Sequence, residues 1–79
     1  MNQLPERLKK LRERKRLKQY ALSVRCGLHP DAVRRYETGE SNPMPDALIS
    51  MADELGVSTD YLLGRTSYPY MVDIPENKF

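Results

Sequence analysis

The sequence predicts an all-α fold: a compact domain of five short helices followed by a short extended C-terminal arm. Apolar residues recur at three- and four-residue spacing in separate stretches, most of them opened by Pro or a small polar residue and closed by Gly. Between Lys18 and Glu37, in KQYALSVRCGLHPDAVRRYE, Gly27 separates two such stretches. A glycine there supplies a positive φ that lets the second helix leave the first steeply, which is the pattern of a helix-turn-helix. At 79 residues the chain has room for one domain with a small core, so short connections and local contacts are favoured.

The first helix is predicted over about 5–15, with Pro5 as a first helical residue and Leu4, Leu8 and Leu11 at i, i+4, i+7. A break near Arg16 and Leu17 leads to a second helix over about 19–25, burying Leu22 and Cys26, with the small Ser23 allowing close approach. After Gly27 and Leu28, the residues His29, Pro30 and Asp31 look like a helix start, with Pro at the first position and Asp near the positive end of the dipole. They predict a third helix over 30–37. Thr38–Pro43 is a loop with Gly39 ending that helix. Pro45 and Asp46 open a fourth, carrying Leu48, Met51, Ala52 and Leu55 and closed by Gly56. Ser58 caps a short fifth helix through Leu63, and Gly64 stops it. The domain is thus expected over 1–64. In the arm, 65–79, the alternation of Tyr68, Tyr70, Val72 and Ile74 suggests an extended edge, which Pro69 and Pro75 bar from a central strand.

Charge is distributed unevenly. Residues 1–36 hold 11 basic and 3 acidic side chains, net +8, and residues 37–79 hold 2 basic and 8 acidic, net −6. One end therefore seeks anions and the other repels them, which would orient the molecule on a polyanion; a solvated helix face gives the same basic run. A single cysteine, Cys26, excludes an internal disulfide, and with only His29 beside it no ordinary four-ligand zinc site can form. No cofactor is expected. Neither a membrane-length apolar run nor a secretory leader is evident, so a cytoplasmic protein without a membrane partner is expected. The scarcity of nucleophiles, bases and phosphate loops argues against an enzyme, and Asp53 and Glu54 read as solvated.

At about 100° per residue, Asp31, Arg34, Arg35 and Thr38 fall on one face of the third helix, and Val33, Tyr36 and Glu37 on the other. A recognition helix needs this division: one side fixes its pose, the other meets base edges and phosphates. Arg34 and Arg35 carry paired donors that match guanine O6 and N7, whereas Asp31 either accepts from cytosine N4 or stabilises the helix terminus.

The chain resembles the lambda-repressor-like helix-turn-helix family, of the Cro/repressor or XRE type, over residues 7–64. The matching residues are RLKKLRERKRLKQ, then Leu22, Gly27, Leu28 and Val33, RYETGESNP, and LISMADELGVSTDYLLG. The resemblance implies a five-helix domain that binds operator DNA as a transcription regulator, commonly as a homodimer, with bacterial or phage relatives. It implies that Gln19 touches a phosphate or supports a base-reading side chain, that Arg12 and Glu37 form a structural pair, and that Leu8, Leu22, Val33, Tyr36, Leu48, Leu55, Tyr61 and Leu62 are core. Lys18, Gln19, Thr38, Ser41 and Asn42 are the expected phosphate contacts, and Asp31, Arg34 and Arg35 the expected base readers.

Several positions depart from the family pattern. Lys18 replaces a Ser or Thr cap, Ser23 replaces Ala, and Cys26 replaces Leu as a buried inert thiol. Pro30 and Asp31 stand where relatives place polar base readers, and Glu40 replaces a frequently basic loop residue. These departures support a competing expectation, a protein-interaction module on the same fold, antitoxin-like or anti-repressor-binding.

Overall fold

The computed structural model describes residues 3–69, which form α1 (Leu4–Arg14), α2 (Gln19–Arg25), α3 (Ala32–Thr38), α4 (Pro45–Leu55) and α5 (Thr59–Leu62). No strand occurs among the described residues. Tyr70, Val72 and Ile74 of the expected edge lie outside them. No helix among the described residues is long and apolar enough to cross a membrane.

The helices begin as their sequences suggest in three cases. Pro sits in the first turn of α1 and α4, where its missing N–H costs nothing, and the Ser58 hydroxyl accepts the Tyr61 N–H at 3.0 Å to cap α5. The third helix begins later than predicted. Pro30 and Asp31 belong to a turn closed by Ala32 N–H on His29 C=O at 2.8 Å, and the imidazole Nδ1 of His29 accepts the Asp31 N–H at 3.1 Å. The helical residues are therefore Ala32–Thr38 rather than 30–37.

All five helices end by one device. The residue after the last turn takes a left-handed conformation and donates to the carbonyl three back, and the next residue donates to the carbonyl five back. The pairs are Arg16 on Glu13 with Leu17 on Arg12, Gly27 on Val24 with Leu28 on Ser23, and Gly39 on Tyr36 with Glu40 on Arg35. Gly56 on Asp53 with Val57 on Ala52 and Gly64 on Tyr61 with Arg65 on Asp60 complete the set. The chain's four glycines fill four of these left-handed positions, and Arg16, at φ 58°, fills the fifth against the preference of a residue with a Cβ. Leu17, Leu28 and Val57, which follow the left-handed residue, turn inward onto the core.

That core joins Leu4, Leu8 and Leu11 of α1 to Leu22, Val33, Met51, Ala52, Leu55, Val57 and Leu62. Leu8, Leu22, Val33, Met51 and Leu62 are fully buried, each worth about 1.5–3 kcal/mol over leaving the side chain in water. Leu48, Tyr36, Tyr61 and Cys26 pack against it half-buried. Burial pushes the Cys26 thiol above its ordinary range, with the Glu54 carboxylate adding to the shift. Glu54 itself, expected to be solvated, accepts from Arg25 Nη1 at 2.7 Å and so ties α4 to α2.

Residues 65–69 are fastened to the domain. Arg7 of α1 donates through Nη1 to the carbonyls of Tyr61 at 2.8 Å and Thr66 at 3.0 Å, and its guanidinium lies 4.1 Å from the Tyr61 ring centroid. The Pro69 carbonyl accepts the Ser58 N–H at 2.7 Å.

Candidate nucleic-acid interface

One side of α3 is anchored by polar as well as apolar contacts. Val33 is fully buried and Tyr36 packs on the core. One helical turn on, the Glu37 carboxylate receives Arg12 Nε at 2.6 Å and Nη2 at 3.1 Å, and Gln19 Nε2 at 2.9 Å. The remaining Arg12 amino group donates to Leu17 C=O at 2.8 Å. Arg12 is 8% exposed, and no buried side-chain polar atom among the described residues lacks a partner. The Glu37 hydrogen bonds outweigh burial and hold the Arg12 guanidinium more firmly charged than in water. These contacts tie α1, α2 and α3 to one carboxylate. They also set the start of α2 against the last turn of α3.

The start of α3 is satisfied from the neighbouring helix. Fully buried Ser23 donates its hydroxyl to Gln19 C=O at 2.9 Å and accepts the Val33 N–H at 3.0 Å. Sequence reasoning read Ser23 only as small. The bond joins two helices across ten residues, so no spacing within either helix signals it.

Asp31 stands at the N-cap position of α3, near the positive end of its dipole, and its side chain makes no cap bond. Its carboxylate is taken up by Arg34, which donates Nε to Oδ1 at 2.6 Å and Nη2 to Oδ2 at 2.7 Å. Arg34 Nη1 donates to Glu40 Oε2 at 2.8 Å. Thr38 Oγ1 lies 3.1 Å from the same Glu40 oxygen and 3.2 Å from Arg35 C=O. The Arg34 hydrogen bonds hold both the Asp31 and the Glu40 carboxyls below their ordinary range and raise the Arg34 guanidinium. Arg34 is thus not the free guanine reader that the helix face alone suggested. Glu40, read only as a departure, is its second partner.

Arg35 is exposed, and its side chain forms no hydrogen bond or ion pair among the described residues. Lys18 and Asn42 are exposed and Gln19 and Ser41 half-buried. The Gln19–Glu37 bond sets Gln19 against the last turn of α3, which Thr38 ends. Gly27, at φ +71°, makes the turn between the two helices, with open space where a Cβ would stand.

Comparison with known proteins bears on this arrangement. A family model described as Helix-turn-helix matches residues 8–62. The chain is 35% identical over 68 residues to the SPbeta prophage-derived uncharacterized HTH-type transcriptional regulator YonR of Bacillus subtilis (strain 168), covering 86% of this chain and 63% of that protein. It is 40% identical over 58 residues to the uncharacterized HTH-type transcriptional regulator YqaE of the same organism, covering 73% and 50%. It therefore spans less than two thirds of the length of either relative. Among solved structures, the P22 c2 repressor protein in complex with a synthetic operator superposes with a TM-score of 0.73 at 30% identity, over 76% of this chain and 91% of that one. A transcriptional regulator from Listeria innocua gives 0.74 at 25% identity, over 96% and 66%.

Proposed function

The chain belongs to the helix-turn-helix family, and from that premise we propose that it is a sequence-specific DNA-binding transcriptional regulator, a repressor, that inserts α3 into the major groove of a palindromic operator. The observation that carries this reading is the two-sided build of α3. Its inner side is locked by Val33, Tyr36 and Glu37, while Arg35 stands exposed and unpartnered among the described residues on the outer side. In this reading Arg35 contacts guanine O6 and N7, Arg34 and Asp31 read the adjoining step, and Lys18, Gln19, Thr38, Ser41 and Asn42 hold phosphates on the flanking border. The operator complex of the P22 c2 repressor, built on the same fold, supports it. The working form is a homodimer in a bacterial or phage cytoplasm, its two α3 helices about 34 Å apart.

Selection of bound duplexes from a random DNA pool at near-physiological salt tests the proposal. An enriched inverted repeat supports a dimeric operator reader, and an enriched single half-site supports the reader without the dimer. Failure to retain any DNA, even at low salt, overturns it in favour of a protein-interaction module.

A further inference from the structure

We infer that Asp31 and Glu40 are specificity-determining positioning residues that clamp Arg34 and withhold it from the DNA backbone while leaving it available to a base edge. The inference rests on the DNA-binding reading above. Glu40 is held in place by the backbone. It is the residue after the left-handed Gly39, and its N–H is bonded to Arg35 C=O at 2.9 Å. At the same point after α1, α2 and α4 stand Leu17, Leu28 and Val57, each turned onto the core. After α3 the side chain is a carboxylate directed back over Arg34. Asp31, in the turn before α3, meets Arg34 from the other end of the helix. Two carboxylates, one before α3 and one after it, thus converge on one guanidinium.

Arg34, Asp31 and Glu40 together carry a net charge of −1. A lone arginine on this face would be drawn to any phosphate, adding affinity without information. The clamped arginine brings two carboxylates with it, so approach to a phosphate is repulsive. A base edge is uncharged, and guanine O6 and N7 need only two N–H groups. The hydrogen bonds to Asp31 and Glu40 use three of the five that a guanidinium has, so the clamp and guanine can be held together. The depressed carboxyl groups keep the cluster anionic at neutral pH. This is discrimination by penalising the wrong contact.

The test is a mutant cycle of wild type, Glu40→Gln, Arg34→Ala and the double variant, with Asp31→Asn as a second release of the clamp and Asp53→Asn as a charge-matched control on α4. Dissociation constants for the selected operator and for a random duplex are measured across salt. Glu40→Gln and Asp31→Asn are expected to tighten random-duplex binding about three- to tenfold and steepen its log–log salt slope by about one, narrowing the ratio between operator and random duplex. In the Arg34→Ala background no guanidinium is released, so the Glu40→Gln effect shrinks to the lost repulsion of one carboxylate, and Asp53→Asn leaves the ratio unchanged. An unaltered ratio in both clamp variants, or equal narrowing with Arg34 absent or in the control, overturns the clamp while the DNA reading stands. Absence of wild-type binding to either duplex overturns both.

Discussion

The Ser23 hydroxyl accepts the Val33 N–H at 3.0 Å, so a side chain of α2 supplies the partner that the first turn of α3 lacks. Both residues are fully buried. Water cannot replace the bond, and Ser23→Ala leaves a donor without an acceptor. A loss of about 1–2 kcal/mol follows, read by urea unfolding as a lower midpoint at unchanged slope. An unchanged midpoint would show that Val33 finds another acceptor.

The Arg12–Glu37 pair predicts strong asymmetry between single and double variants. Arg12→Met strands a carboxylate whose side chain is 4% exposed, and the expected loss of about 3–5 kcal/mol is a large part of a small domain's stability. Arg12→Met with Glu37→Leu, which removes both charges, should recover most of it. A double variant no better than Arg12→Met would mean that Gln19 and Leu17 depend on the pair for their own placement.

Arg16 occupies the one helix end that glycine does not fill. Its side chain is exposed, so replacement disturbs no packing. Arg16→Gly removes the cost of a left-handed residue bearing a Cβ and returns part of the gain as unfolded-chain entropy, for a net stabilisation of about 0.5–1 kcal/mol. Thermal unfolding should rise by several degrees. A fall would place an unrecognised interaction on the Arg16 side chain.

Arg7 fastens the 65–69 segment through its two carbonyl bonds and its stacking on Tyr61. Arg7→Ala should loosen that segment before it unfolds the domain. Amide hydrogen exchange at Ser58, whose N–H is bonded to Pro69 C=O, is expected to quicken by about tenfold or more, with the Leu8 and Leu22 amides little affected.

The acidic clamp has a defined pH response. The folded-state Asp31 and Glu40 carboxyls lie below their unfolded values, so their contribution is fully present above the ordinary carboxylate range. It is lost as pH falls through the lowered folded values. NMR titration should show both carboxyls protonating below the ordinary carboxylate range, with the Arg34 Nε–H signal shifting in the same step. Separate steps would place the two carboxyls in independent environments.

Much of this was legible in the residues because it is local. Pro5, Pro45, Ser58 and the glycines act within a turn of where they stand, and the spacing of Leu4, Leu8 and Leu11 names their face. Where several groups compete for one partner, the sequence is silent. Asp31 is a good helix-start residue by type, yet a bidentate arginine three residues on outbids the backbone N–H groups for its carboxylate. Ser23–Val33 and Arg7–Thr66 join residues 10 and 59 apart, and no spacing rule reaches them.

Bounded by the Ser23 bond in front and by Gly39 behind, α3 behaves as an exchangeable cassette: its length and tilt are set by residues that do not face outward. Under the DNA-reading role proposed for α3, substitution at Arg35 changes what the surface reads without changing how the helix is held. Arg34 lacks that freedom, because Asp31 before the helix and Glu40 after it answer to its guanidinium. On that proposal, retargeting the surface has two tiers: position 35 on its own, and positions 31, 34 and 40 rewritten together as one letter.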